Sequence, residues 1–319
     1  MRKLLLALLL VSGTAAAQTW PAKPVRVIVG YPAGGGHDFT ARVVATRLAD
    51  LLKQPFVVEN RPGASGTIAT DGIAKGPADG YSFIVASPAE TVVGAVAGLK
   101  MAYDWEKDLA PVTVIGDTPL AIAVHPRAGV STIQELLASA KRNPGKLSYG
   151  TPGSGSSMHF AGESLKTLAG AFIVHIPYRG AAPAVTDLLG GQVEVGIVGM
   201  PPVVGPHKAG KIRIVAVTSE KRSAATPDIP AMAELPGFQG YSFTNWTGVF
   251  MAAKTPPAII ERLASEIGRI VKEPGVREKL LAAGVEPLGL PTAEAVKFFE
   301  REKATYVKIA KARNIKADD

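Results

Sequence analysis

Residues 25–52, VRVIVGYPAGGGHDFTARVVATRLADLL, decide the architecture. They open on a short apolar run, Val25, Val27, Ile28 and Val29, whose β-branched residues read as a buried strand. Pro32 and the glycines Gly34, Gly35 and Gly36 then break any helical or strand pattern. Behind them Ala41, Val44, Ala45, Leu48 and Leu52 recur at helical spacing. The stretch is a strand, a bare-backbone turn and a helix. Such a turn leaves backbone N–H groups free at the helix start, where hydrogen bonding and the helix dipole favour an anion.

Residues 147–169, LSYGTPGSGSSMHFAGESLKTLA, run strand, turn and helix again. Gly150, Gly153 and Gly155 are interleaved here with Thr151, Ser154, Ser156 and Ser157, whose hydroxyls add side-chain donors to those of the backbone. Either turn alone reads equally well as an ordinary capped helix. The pair suggests two lobes gripping one acidic ligand.

Between and beyond these turns, strands and helices alternate. Residues 55–59 and 81–86 read as strands, the second ending at Ser87-Pro88, and residues 60–66 turn into a helix over 67–75. This alternation predicts α/β architecture with mostly parallel sheets, whose ligands bind beyond the carboxyl ends of the strands. Residues 120–125 are an apolar run able to cross into a second lobe, and 243–252 a candidate return crossing. Ser131 looks like a helix cap with Gln134 at the capping-box position. Residues 292–309 form an amphipathic terminal helix. The expected division is 1–17 as a signal peptide, 18–120 plus 250–319 as the first lobe, and 121–249 as the second.

The leader follows from Arg2 and Lys3 before an apolar core at 4–11 and the small residues Ala15, Ala16 and Ala17. That core is too short to span a membrane. With no cysteine in the chain, disulfides, thiol catalysis, Cys-ligated metals and a lipid anchor on cysteine are all excluded. Net charge is +8; without Arg2 and Lys3, 33 basic residues face 27 acidic ones, near +6. The excess is spread along the chain and aromatics are few, which argues against nucleic-acid binding.

The individual residues admit structural as well as functional readings. Asp38 fits the dipole of the first helix, with a water-mediated ligand contact as the alternative. Arg179 suits either a bidentate carboxylate clamp or a structural tie at its turn. His159 and Glu163 share a helix face, but no third metal ligand accompanies them. GYPAGGGHD lacks the G-x-G-x-x-G spacing of a dinucleotide site, and GTPGSGSS is not the G-x-S-x-G of a serine hydrolase.

The ordered set of motifs resembles the extracytoplasmic solute-binding proteins of tripartite tricarboxylate transporters, the Bug family. The matching pieces are residues 31–38 (YPAGGGHD), 58–66 (VENRPGASG), 78–81 (ADGY), 108–112 (DLAPV), 149–156 (YGTPGSGS) with His159, 187–192 (DLLGGQ), 208–211 (KAGK), 216–219 (AVTS) and 246–248 (WTG). The likeness covers nearly the whole chain after the leader. It implies a two-lobed, type II-like periplasmic binding fold with two hinge crossings. No cofactor, metal or turnover is expected, and a monomer is. The fold would close on a small carboxylate and present it to membrane permease subunits. A sensor role, docking on a signalling receptor instead, stays open, and a serine hydrolase is the remote alternative.

Carried over residue by residue, the resemblance puts Tyr31, Ala33, Gly34, Gly35 and Asp38 on one wall, with Ser87 beside them. Thr151, Ser154, Ser156 and Ser157 stand on the facing wall, with Tyr178, Arg179, Gly180, Gly199 and Met200 at neighbouring strand ends. Family members often carry an acidic residue where this chain has Val198-Gly199-Met200. A ligand amino group would lose that partner, so a plain mono- or dicarboxylate, with an apolar or aromatic body allowed, is expected over an amino acid.

Overall fold

The apolar runs become strands, and the Gly- and Pro-rich turns between them return each helix to a sheet face. The computed structural model of the chain describes residues 20–313, with side chains described for 20–311. The expected leader at 1–17 lies outside the described residues.

In chain order, β1 (Val25–Val29) leads to α1 (Gly36–Leu52), β2 (Phe56–Asn60) to α2 (Thr67–Ala74) and β3 (Ser82–Ala86) to α3 (Val92–Ala97). The short α4 (Trp105–Asp108) precedes β4 (Leu109–Asp117). Then come β5 (Leu120–Val124), α5 (Ile133–Arg142), β6 (Ser148–Thr151), α6 (Ser157–Ala169) and β7 (Val174–Pro177). α7 (Ala181–Leu189), β8 (Val195–Gly199), α8 (Pro201–Lys208) and β9 (Arg213–Val217) follow. The chain returns through β10 (Thr247–Ala252), α9 (Pro257–Ile270), α10 (Pro274–Ala282), β11 (Glu286–Pro287) and α11 (Thr292–Arg313).

The strands form two sheets, ordered β11-β4-β10-β3-β1-β2 and β7-β6-β8-β5-β9. In the first, β1 runs parallel to β2 and β3, with Val27 opposite both Val58 and Phe83, while β10 lies antiparallel between β3 and β4. In the second, β6 is parallel to β7 and β8, and β5 is antiparallel to β8 and β9. The carboxyl ends of β1 and β3 therefore share one sheet edge, and those of β6, β7 and β8 share another. Each sheet is flanked by helices, giving the two-lobed α/β fold.

The strand residues divide between layers as their alternation requires. Val25, Val27 and Val29 pack with Val44 and Leu48 of α1 in one cluster, whereas Ile28 belongs to the cluster on the opposite face. Every residue of β5 is buried, as befits a central strand covered on both faces. Trp246 is fully buried against Phe298 and Phe299 of α11, consistent with a packing role.

The first crossing lies just before the expected stretch, and the return occupies only the start of the expected 243–252. Leu120–Val124 is paired along its length with β8 and β9, and Thr247–Ala252 with β3 and β4, so neither strand is free to span two sheets. The chain passes over at residues 118–119 and returns at 243–246. These segments run side by side: Pro119 bridges Thr244, and the Asn245 N–H donates to Thr118 O at 2.8 Å. The cap of α5 is likewise shifted by one residue. Thr132 Oγ1 accepts from the Glu135 N–H, and Glu135 reaches back to the Ser131 N–H, because the acid able to close that loop is Glu135 and not Gln134.

Candidate functional site

Where the two sheet edges meet, the turn after β1 is held by Asp38. Its Oδ2 accepts from the Gly34 N–H at 3.0 Å, and its Oδ1 from Arg42 Nε at 3.0 Å and Asn60 Nδ2 at 2.9 Å. Burial works against its charge, but the bonds from Arg42, Gly34 and Asn60 outweigh it and hold the carboxyl below the usual range. Gly34 sits at φ +86, a conformation that favours glycine. Gly35 then caps α1 with no side-chain bond, leaving first-turn N–H groups unclaimed by a cap.

On the second lobe the turn after β6 is organised by its own hydroxyls. Ser156 caps α6, accepting from the His159 N–H at 3.2 Å and donating to Gly153 O at 2.7 Å. Thr151 Oγ1 lies 2.7 Å from His175 Nε2 and accepts from the Gly153 N–H. Gly180 at the start of α7 and Met200 at the start of α8 carry no side-chain cap.

The lobes are closed on one another. Ser65 Oγ donates to Ser154 O at 3.2 Å. A Cβ on Gly180 would fall 2.6 Å from Pro32 Cδ, and one on Gly35 3.8 Å from Ala181 Cβ. The closure leaves a small cavity between the two turns. The first lobe lines it with Tyr31, Gly35, Gly36, His37 and Ser87; Thr118 and Asn245 come from the crossings and Thr247 from the start of β10. The second lobe adds Pro152, Ser156, Met158, Ala181, Gly199 and Pro201. Four helix starts thus meet there: Gly35 and Gly36 of α1, Ser156 of α6, Ala181 of α7 and Pro201 of α8.

The wall carries donors but no Lys or Arg. His37 supplies no charge near neutrality, because burial lowers its pKa to about 4 against the opposing effect of its Nε2 contact with Trp246 O at 3.3 Å. Behind the wall lies Glu90, fully buried. Its Oε1 accepts from the Ser87 N–H at 2.8 Å, and its Oε2 from the Tyr31 hydroxyl at 2.8 Å and from the Ser87 hydroxyl. Burial raises its pKa to about 7 against those bonds.

Of the residues expected at the site, Tyr31, Gly35, Ser87, Ser156 and Gly199 line the cavity. Asp38 and Thr151 stand behind it as braces for their turns. Ser157 is buried, with Oγ 3.4 Å from Asn245 Oδ1. Ala33 and Gly34 are exposed at the tip of the first turn, and Gly180 packs on Pro32. Met200 is buried beneath α8, close enough to Gly284 to meet any Cβ there. Ser154, Tyr178 and Arg179 line a separate open groove with residues 62–66, and the Tyr178 hydroxyl donates to Asp187. His159 Nδ1 accepts from the Gly155 N–H, and Glu163 accepts from Tyr149 and Lys166. Among the described residues no group of three or more His, Asp or Glu is arranged to hold a metal ion.

Sequence reasoning missed Thr118, Asn245, Met158 and Glu90. Asn245 and Thr247 interrupt an otherwise apolar β-type run, and Glu90 is the lone charge in residues 87–98, SPAETVVGAVAG. Those are the signals that could have found them.

Comparison with known proteins gives the same frame. The family model described as "Tripartite tricarboxylate transporter family receptor" matches residues 40–315. Protein BugT of Bordetella pertussis is 38% identical over 279 residues, 87% of this chain and 85% of the relative. The structure of R. palustris Rpa4515 with adipate superposes with a TM-score of 0.90 at 34% identity, covering 93% of this chain and 99% of that one. MatC (Rpa3494) from Rhodopseudomonas palustris with bound malate gives a TM-score of 0.84 at 25% identity, over 91% and 99% of the two chains.

Proposed function

Since the chain belongs to the tripartite tricarboxylate transporter receptor family, we propose that it captures a small carboxylate between its lobes and delivers it to the membrane subunits of such a transporter. One observation carries the reading: four helix starts converge on a cavity whose wall holds no cationic side chain. The partial positive charge of these helix starts, with N–H groups unclaimed by a side-chain cap at α1 and α7, suits an anion without a fixed counter-ion; α8 opens on Pro201-Pro202, which have no N–H, and adds its dipole alone. The backbone N–H groups of Gly35, Gly36 and Ser156 and the side chains of Ser87, Asn245 and Thr247 are the donors we assign to it. Arg179, in the outer groove, is assigned to the rim.

The ligand class is read as a plain mono- or dicarboxylate. No ionised carboxylate faces the cavity to receive an ammonium group, since Asp38 is spent on its turn and Glu90 lies behind two hydroxyls. Two relatives with adipate and malate support that class. The Ser156 hydroxyl bonds only backbone groups in its turn, which supports binding without turnover. Each lobe is taken to move as a rigid body about residues 118–119 and 243–246, with the ligand favouring the closed state because only there does it touch both. We assign its site of action to the periplasm, a reading that the family supports.

Thermal shift followed by calorimetry over adipate, malate, benzoate, aspartate and glutamate tests the reading. Stabilisation by one or more acids lacking an amino group is expected. Tighter binding of aspartate or glutamate overturns the ligand class, and no binding by any carboxylate overturns capture itself.

A further inference from the structure

The wall of the cavity offers two side-chain hydroxyls from the first lobe, Tyr31 and Ser87, and both are bonded to the same oxygen behind it. Tyr31 Oη lies 2.8 Å from Ser87 Oγ and donates within reach of Glu90 Oε2 at 2.8 Å and Ser65 O at 3.0 Å. Ser87 Oγ contacts Glu90 Oε2 as well and accepts from the Ala89 N–H at 3.1 Å. Each hydroxyl has a single proton to donate. While Glu90 is ionised, the Ser87 proton is held by Oε2, and the Tyr31 proton by Oε2 or Ser65 O. Neither is left for the cavity. Once Oε2 carries a proton it donates to Ser87 Oγ, and the Ser87 proton is free to turn into the cavity.

We propose that Glu90 is a positioning residue that sets the direction of the Ser87 hydroxyl, so that capture of a carboxylate is accompanied by uptake of one proton from solvent onto Glu90. The inference rests on the capture reading above. No bond of the ligand changes: the proton joins Glu90 Oε2, Ser87 rotates, and its hydroxyl donates to the incoming anion. An anion next to a buried carboxylate raises the cost of ionising it, so ligand and proton favour each other.

The surroundings support this coupling. The groups around the carboxyl are Ser87 on its own segment, Tyr31 beyond β1, Gly66 of the turn before α2, and Tyr103, whose hydroxyl donates to Glu90 O at 2.5 Å. His37 stacks on the Tyr31 ring with centroids 5.4 Å apart and is neutral near pH 7; Asp71 lies near enough to act on Tyr103. Among the described residues no Lys or Arg bonds to Glu90. Burial already raises the carboxyl to about 7, so it is part-loaded near neutrality, and a bound anion that lifts it by about three further units keeps the proton in place up to pH 9.

Calorimetric titration of adipate and of malate, at pH 8.5 in two buffers of different ionisation enthalpy, counts the protons taken up. About one per ligand is expected for the native protein, and Kd is expected to rise about fiftyfold between pH 7 and pH 9, where both acids are already ionised. Glu90→Gln presents a permanent N–H donor to the two hydroxyls. It is expected to take up no proton, to bind more tightly than the native protein at pH 9, and to change Kd less than twofold over the same range. Ser87→Ala is expected to reduce uptake well below that of the native protein with Glu90 intact, and serves if Glu90→Gln does not fold. Binding without uptake, or uptake and pH dependence that persist in Glu90→Gln, overturns the inference and leaves capture standing. Binding of neither acid nor any other carboxylate at any pH removes capture, and the inference with it.

Discussion

Ser65 reaches across the cleft to Ser154: its hydroxyl donates to the Ser154 carbonyl at 3.2 Å, joining the turn before α2 to the turn before α6. Ser65 holds φ +50 to do so, between Ala64 at φ +44 and Gly66 at φ +89. Nothing within a lobe depends on this bond, so its energy belongs to closure. A part-buried hydrogen bond contributes about 1 kcal/mol net. Ser65→Gly keeps the backbone conformation and removes the donor. Carboxylate affinity should fall about fivefold with the thermal midpoint of the free protein unchanged, measured by calorimetry and by thermal melt. Unchanged affinity would show that the bond adds nothing to the closed state.

Gly35 separates space from strain. Its φ is −81, which any residue adopts, and a Cβ there would sit 3.6 Å from Pro32 O and 3.8 Å from Ala181 Cβ. Alanine therefore fits at ordinary contact distance. Valine adds two methyl groups between α1 and α7, where overpacking costs about 1–3 kcal/mol. Gly35→Ala should bind within about threefold of the native protein, and Gly35→Val about tenfold or more weaker, with both variants folded by circular dichroism. Equal binding by the valine variant would place the ligand elsewhere.

Thr218 ties the two crossings together. It is fully buried at the end of β9, accepts from the Leu120 N–H at 3.0 Å and donates to Phe243 O at 2.5 Å. Thr218→Val preserves shape but leaves a buried N–H and a carbonyl without that partner, at about 1–3 kcal/mol. Chemical denaturation should give a loss of about 2 kcal/mol, the midpoint moving with little change in slope. A neutral substitution would mean that water or a shift of the crossing replaces the hydroxyl.

What could be read from the sequence divides along a physical line. Runs such as Val25 to Val29 and turns such as Gly34-Gly35-Gly36 are local signals, and they located the sheets and the helix starts, while the five expected residues that line the cavity were carried over from the family resemblance. Long-range facts were not legible. Which of Ser154 and Ser156 faces inward depends on how the turn before α6 meets Pro32 and Ser65 of the other lobe. Arg179 and Tyr178 sit at the right strand end, yet they line the outer groove because Gly180 packs directly on Pro32. Glu90 was missed for a different reason. An acid in an apolar stretch reads as a surface charge until two distant hydroxyls, Tyr31 and Ser87, are seen to converge on it.

Stability should fall as pH rises through neutrality, and Glu90 gives the sign. Its folded pKa of about 7 lies above the 4.5 of an unperturbed glutamate, so between those values the folded state binds the proton that the unfolded state has released. Stability is then fully present below pH 4.5 and is lost as pH rises through 7. At 1.36 kcal/mol per unit, the full loss from this group is about 3 kcal/mol. Asp117 at about 6 and Glu302 at about 7, both raised chiefly by burial, act in the same direction. Denaturation curves between pH 5 and pH 8.5 should therefore show a declining unfolding free energy from these groups. Glu90→Gln, neutral at every pH, should be less stable than or equal to the native protein at pH 5 and more stable at pH 8.5, so that the two curves cross. Curves that stay parallel over that range would mean that Glu90 has an ordinary carboxylate pKa in the folded protein.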